Sequence, residues 1–241
     1  MAGSQALLTM PLTGLVPGQV PAEVVAIVAH DLRTPLNAIS MGASLLGDES
    51  QPEQQKAAML QIIQRAALRM DRLIADLLEA GRLDAGRTLK IAPAPVDLAA
   101  VIEQACAEVD AGARLKGQTL ERAVPADLPR VRADRARLLQ VLANLIANAA
   151  KFTPRGGRIH VSAVRDGDVA RVAVSDSGPG IPAHDLPHVF EPFWQAQSTA
   201  SLGCGLGLKI ARAIVEAHGG AMWAESVPGQ GATFVFTVPV A

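Results

Sequence analysis

Two runs of apolar residues, each returning every third or fourth position, set the tightest limit on how this chain can fold. The first is Val25, Val28, Leu32, Leu36, Ile39, Ala43 and Leu46; the second is Leu60, Ile63, Ala67, Met70, Ile74 and Leu77. Each period puts its apolar residues on one side of a helix, and the second alternates steps of three and four like a heptad seam. The segment Gly47–Pro52 (GDESQP) reads as a turn between them, and the second run ends around Gly81 to Gly86. The spacing therefore predicts an antiparallel helical hairpin. A hairpin alone buries too little to be stable, and the simplest completion is a second copy of the chain, giving a dimeric four-helix bundle. The alternative is that the hairpin packs on the rest of its own chain.

Beyond Gly86 the texture becomes mixed. Thr88–Ile91 can be read as a strand, Asp97 to about Ala113 as a helix with Asp97 at its N-cap, and Gln118–Ala123 and Arg130–Arg132 as short strands. A long helix follows from Asp134 to Lys151. Residues 158–165 and 169–176 alternate around Asp166-Gly167, a hairpin signature, and a Gly- and Pro-rich tract leads to a helix at about Gly205–His218. Ala221–Ser226 and Ala232–Val238, joined by Pro228-Gly229-Gln230-Gly231, close the chain as another hairpin. This order predicts an α/β sandwich with a mixed sheet and its helices on one face.

Composition narrows the function. With 22 Lys+Arg against 23 Asp+Glu the formal charge is -1, which gives no basic face for nucleic acid. The two cysteines, Cys106 and Cys204, form no CxxC pair, so neither a disulfide framework nor a zinc finger is expected and a reducing, cytoplasmic setting is the default. No apolar run reaches the ~20 residues that cross a bilayer, and nothing at the N-terminus has the order of a signal peptide.

His30 lies about 200° around the helix from both Val28 and Leu32, so it points away from the apolar stripe. Asp31 is adjacent, Thr34 shares the exposed face one turn on, and Pro35 interrupts the helix hydrogen bonding. Asn144 and Asn148 are i and i+4, so both amides leave one face of their helix. His184 and His188 are also four apart, but Pro182 and Pro187 argue for loop residues rather than metal ligands. Cys204 reads as a small packing residue.

The words around these positions are specific. The segment His30-Asp31-Leu32-Arg33-Thr34-Pro35-Leu36-Asn37 resembles the H-box of two-component sensor histidine kinases, and Leu139 to Thr153 (LQVLANLIANAAKFT) resembles their N-box. Asp176-Ser177-Gly178-Pro179-Gly180-Ile181, Phe190-Glu191-Pro192-Phe193 and Gly203-Cys204-Gly205-Leu206-Gly207-Leu208 are similar to the first glycine box, the F-box and the second glycine box, in the family's order. The resemblance spans about residues 20–241. It implies a dimerisation and histidine phosphotransfer hairpin over 20–86 and a Bergerat-type ATP-binding domain over 87–241; residues 1–19, with no sustained period, read as a leader or linker.

It also implies roles. His30 would be the phosphoacceptor, with Asp31 holding its Nδ1 proton. Thr34 would orient water for dephosphorylating a regulator. Asn148 would ligate Mg²⁺, and Asn144 would stand where related ATPases carry a glutamate base. Asp176 would accept the adenine amino group. ATP contacts would come from Asn144, Asn148, Lys151, Asp176, Gly178, Gly180, Ile181, Phe193, Gly203, Gly205, Leu206, Gly207 and Leu208. The implied activity is an ATP-dependent histidine autokinase, acting as a homodimer and passing its phosphoryl group to an aspartate on a response-regulator receiver domain in trans. A nucleotide-binding scaffold and a conformational ATPase share these residues, although Asn144 cannot act as the base an ATPase needs. The lid, Trp194–Leu202, departs from many relatives in being nine residues long and uncharged.

Overall fold

A computed structural model describes residues 22–46, 52–194 and 204–241. The expected leader (1–19), most of the expected turn (47–51), the lid beyond Trp194 and Gly203 lie outside the described residues. The chain forms two compact units, residues 1–67 and 68–241, with the boundary inside the second helix.

In the first unit, α1 (Ala22–Leu46) runs through Pro35 as one α-helix. Val24, Asp31, Pro35 and Gly42 are buried, in two pairs seven residues apart. Helix α2 (Glu53–Asp84) begins in this unit. A Cβ on Gly42 would stand 2.8 Å from Ile63 Cγ1, so the absence of a side chain lets α1 and α2 approach there. The buried line differs from the stripe expected on α1. Val25 and Leu36 are 55% and 51% exposed, and Met41 and Leu60 are also largely exposed. The apolar arc on each helix is wider than the seam between them, and part of it stays exposed.

The second unit takes the C-terminal half of α2. Gly81 does not stop this helix. It ends in a Schellman arrangement, with Arg87 N–H donating to the Arg82 carbonyl at 3.0 Å and Gly86 N–H to Leu83 at 3.0 Å. Gly86 has φ +70°, a conformation that glycine adopts without steric cost. Thr88–Ile91 is not a strand. The first strand is β1 (Ala94–Val96), which pairs antiparallel with β3 (Val131–Ala133) as a small separate sheet.

The main sheet has the order β2-β4-β5-β7-β6, built from β2 (Thr119–Ala123), β4 (Arg158–Asp166), β5 (Val169–Asp176), β7 (Ala232–Pro239) and β6 (Met222–Ser226). The β2–β4 pair is parallel and the others antiparallel, so the sheet is mixed as expected. Inward positions alternate along the strands, with Ile159, Val161 and Ala163 on β4 and Ala170, Val172 and Val174 on β5. Against them pack α3 (Leu98–Leu115), α4 (Arg135–Phe152) and α5 (Gly207–Ala217) through Val101, Ile102, Leu142, Leu145, Ile146, Ile210 and Ile214, all fully buried. Asp97 caps α3 as expected, its Oδ1 accepting from Ala100 N–H at 3.1 Å.

Candidate nucleotide and phosphoacceptor sites

On α1, His30 presents its ring to solvent with its side chain 62% exposed, while the Asp31 side chain is 6% exposed. Nδ1 of His30 lies 3.2 Å from Asp31 Oδ1. One ring nitrogen is thus taken by the neighbouring carboxylate, which leaves Nε2 as the outward atom. Asp31 Oδ2 is buried without a hydrogen-bond partner among the described residues. Thr34 is exposed, but its hydroxyl turns back to donate to the His30 carbonyl at 3.3 Å.

Helix α4 carries the second set. Its N-cap is Asp134, whose Oδ1 accepts from Ala136 and Arg137 N–H and whose Oδ2 accepts from Ala92 N–H. Burial pushes this carboxyl up, but those N–H groups and the Arg137 charge outweigh it and hold it below the usual carboxylate range. Because Leu138, Val141, Leu142, Leu145 and Ile146 face the core, Asn144 and Asn148 emerge together on the flank, both half-buried. The Asn144 amide donates to the Gly207 carbonyl at 3.1 Å, the first residue of α5. Lys151 Nζ lies 4.5 Å from the Phe152 ring centroid.

The far end of α4 reaches the first glycine box. A Cβ on Gly178 would come within 2.7 Å of Asp176 Oδ1 and 2.9 Å of the Phe152 carbonyl, so only a bare backbone fits. Gly178 N–H donates to Asp176 Oδ1 at 2.8 Å. Burial raises the Asp176 carboxyl above its ordinary value, with the Gly178 and Ala232 N–H groups pulling it back. Ile181 N–H donates to Ser226 Oγ at 2.7 Å, Ser226 Oγ donates to the Gly231 carbonyl at 2.6 Å, and Gly229 N–H donates to the Pro179 carbonyl at 2.7 Å. The β6–β7 turn therefore forms one wall of this box, a role its turn chemistry alone did not announce.

In the second glycine box, Phe193 N–H donates to the Gly205 carbonyl at 3.2 Å. Phe193 adopts φ +62°, a strained value for a residue with a side chain. Leu206 and Cys204 are buried, so a nucleotide contact from Leu206 would come from its backbone; Leu208, Ile181 and Phe193 are partly buried against the core. Helix α4 thus touches both glycine boxes, through Asn144 at Gly207 and through Phe152 at Gly178.

Three further residues hold this frame and were not singled out by the sequence. Gln118 Nε2 donates to the Ala150 and Thr153 carbonyls at 3.0 and 2.6 Å, capping the C-terminus of α4 together with Lys116 Nζ. Buried His218 accepts from Asp134 N–H. Buried Glu79 receives Arg137 Nη1 at 2.5 Å and Gln140 Nε2 at 3.0 Å. Beside Glu79, burial and its negative charge push the Asp76 carboxyl up to about 6, against the opposing charge of Arg72. His184 and His188 are surface residues near Asp185 and Glu191, the latter pair in and beside a single 3₁₀ turn.

Among the described residues no group of three or more His, Cys, Asp or Glu side chains could hold a metal by itself. Asn148 offers an amide that no hydrogen bond takes up among the described residues. A hard divalent ion that keeps several waters fits such a lone oxygen donor beside a polyphosphate.

Glycine-lined backbone against the middle and the C-terminal end of one asparagine-bearing helix, on a mixed sheet, suits an ATP-binding domain, and the hairpin bears an exposed histidine beside a carboxylate. Residues 133–241 match the family described as histidine kinase-, DNA gyrase B- and HSP90-like ATPase, and residues 22–86 match the His Kinase A (phospho-acceptor) domain. The chain belongs to the two-component sensor histidine kinases. It is 39% identical over 228 residues to the adaptive-response sensory kinase SasA of Synechococcus elongatus, covering 90% of this chain and 59% of that protein. Full-length ShkA in complex with AMPPNP superposes with a TM-score of 0.67 at 32% identity, over 92% of this chain and 46% of that one. Histidine kinase ThkA in complex with response regulator protein TrrA gives 0.63 at 28% identity, over 91% and 62%. The chain spans about three-fifths of the length of the SasA relatives it matches.

Proposed function

We propose that the chain is the catalytic core of an ATP-dependent protein-histidine autokinase. The observation that carries this reading is the exposed His30 ring with Nδ1 against Asp31, since a phosphoacceptor must be reachable and must keep one nitrogen lone pair free. Nε2 attacks the γ-phosphorus, the bond from that phosphorus to the β–γ bridging oxygen breaks, and ADP leaves with the bond's electron pair. The ring retains its Nδ1 proton, and Asp31 stabilises the positive charge that develops on it. Such transfer depends on in-line placement and charge neutralisation more than on covalent help.

On the nucleotide side, Asp176 accepts the adenine amino group, while Gly178 and Gly180 let the base lie against backbone. Lys151 and the N–H groups around Gly205 and Gly207, at the N-terminus of α5, receive phosphate. Asn148 holds Mg²⁺, which supplies charge neutralisation at the phosphates when bound. Asn144 is engaged with Gly207 and cannot take a proton from water, which favours transfer to histidine over hydrolysis.

The chain acts as a homodimer. The exposed Val25, Leu36, Met41 and Leu60 on the hairpin support closure by a second copy into a four-helix bundle. The phosphoryl group passes to an aspartate on a receiver domain in trans, with Thr34 aiding the reverse dephosphorylation; the ThkA–TrrA complex supports this partner class. No helix among the described residues is long and apolar enough to cross a membrane. Cys106 and Cys204, both buried and neither in a disulfide, support a cytoplasmic setting. The test is incubation with γ-labelled ATP and Mg²⁺, comparing the wild type with His30→Gln. Acid-labile, alkali-stable label on the wild type alone is expected, and equal label on the variant would overturn the assignment.

A further inference from the structure

His218 has no part in the chemistry proposed above, yet it is one of the few polar side chains buried among the described residues, at 8% exposure. It sits at the C-cap of α5. Its Nδ1 lies 2.7 Å from the Ile214 carbonyl, and its Nε2 lies 2.9 Å from the backbone nitrogen of Asp134. A carbonyl needs a hydrogen and an N–H needs a lone pair. Only a neutral ring with its proton on Nδ1 meets both demands. The Asp134 carboxylate is already committed to Ala92, Ala136 and Arg137, so the ring secures the one remaining group of the α4 N-cap.

This contact has a counterpart. Asn144 on α4 donates to the carbonyl of Gly207 at the start of α5. From Asp134 to Asn144 is ten residues along the chain, and from Gly207 to His218 is eleven. At the helical rise each interval is about 15 Å. Two packed antiparallel helices are therefore pinned at two points with matched spacing. Apolar packing between α4 and α5 brings them together but is not directional, whereas the two bonds between them, at 2.9 and 3.1 Å, hold one axial position.

We propose that His218 is a positioning residue that sets the register of α5 against α4, and through it holds the Gly205–Gly207 loop opposite Asn144 and Asn148. It touches no substrate; its effect reaches the nucleotide through α5. The inference rests on the nucleotide reading above.

The experiment compares His218→Gln and His218→Leu in the full chain, by calorimetric titration with ADP and Mg²⁺ and by autophosphorylation. Glutamine keeps an acceptor oxygen for Asp134 N–H, while leucine fills the volume with neither donor nor acceptor. Expected is at least tenfold weaker ADP binding for the leucine variant with a cooperative melt retained, and binding within threefold of wild type for glutamine. KM for ATP should rise for leucine while kcat of labelling stays within twofold, a split that mere loss of stability would not produce. A folded leucine variant that binds ADP within twofold of wild type overturns the proposal, as does a glutamine variant as weak as leucine. Should the leucine variant not fold, the ¹⁵N spectrum of the wild-type ring decides. A proton on Nδ1 and a bare Nε2 at pH 7.5 are expected, and the opposite tautomer or a charged ring overturns the clamp. Wild type that fails to bind ADP would sink the nucleotide reading instead, and the ring spectrum would still judge the contact.

Discussion

Asn144 and Gly207 are joined across 63 residues by a single hydrogen bond of 3.1 Å, amide to carbonyl, that links α4 to the start of α5, the helix after the second glycine box. The donor belongs to the side chain and the acceptor to the backbone, so the bond has a polarity that substitution can invert. Asn144→Asp keeps size and shape but sets a carboxylate oxygen against a carbonyl oxygen. A half-buried acceptor facing another acceptor forfeits the bond and adds repulsion, about 1–3 kcal/mol. ADP affinity is expected to fall about tenfold or more by calorimetry, whereas Asn144→Ala should fall less, because it removes the donor without adding the repulsion.

Asp31→Asn addresses His30 as the proposed phosphoacceptor. The amide still reaches His30 Nδ1 but no longer stabilises positive charge on the ring. Labelling by γ-labelled ATP should slow by about 10²-fold, within the range of a lost charge partner in proton handling. ADP binding should not change, because Asp31 lies outside the nucleotide domain. An equal loss of ADP binding would contradict this separation.

For Asp176 the pH dependence has a definite sign. Its native carboxyl titrates above the unfolded value of 3.8 because of burial, so the folded state holds the proton more tightly. The resulting penalty is absent below pH 3.8 and is complete once pH has risen past the native value. Asp176→Asn is therefore expected to raise the melting temperature of the nucleotide-free protein at pH 7.5, to leave it unchanged near pH 3.5, and to abolish measurable ADP binding.

The same argument at Asp76 concerns stability alone. Its carboxyl is raised to about 6, so between pH 3.8 and 6 stability falls as pH rises, and above pH 6 the ionised group carries a constant penalty. Allowing for partial solvent screening, Asp76→Asn should gain about 1 kcal/mol at pH 7.5 and nothing at pH 3.5. Differential scanning calorimetry at the two pH values measures this as a shift of about 2–4 °C at the higher one only.

Elements built on local rules were legible in advance. Asp97 falls at an N-cap, Asp166-Gly167 at a hairpin, and His30 on the exposed side of α1, because each depends on neighbours within a few residues. What escaped depends on partners far away in sequence. The segment Thr88–Ile91 has strand-like residues but no strand partner, while Ala94–Val96, with Pro95 in its middle, pairs as part of a two-stranded sheet where a missing N–H is tolerated. Gln118, Ser226 and His218 look like ordinary polar residues until Ala150, Ile181 and Asp134 are brought to them. The apolar stripe on α1 was rightly seen as helical, yet its period could not say which half of a wide arc would be used first. The glycine boxes were found as words; that the turn Val227–Gly231 walls the first of them could come only from the fold.

At Gly178, Gly180 and Gly231 the added atom of an alanine would collide with the backbone of Phe152, of Val227 and of Asp176 respectively. The outline of that recess is drawn by main chain on both sides. A library sampling all twenty amino acids at these three codons should return a single letter at each, even under selection for folding alone with no nucleotide present. Tuning which base the recess accepts must then fall to positions around its rim, since its floor has no alphabet left to vary.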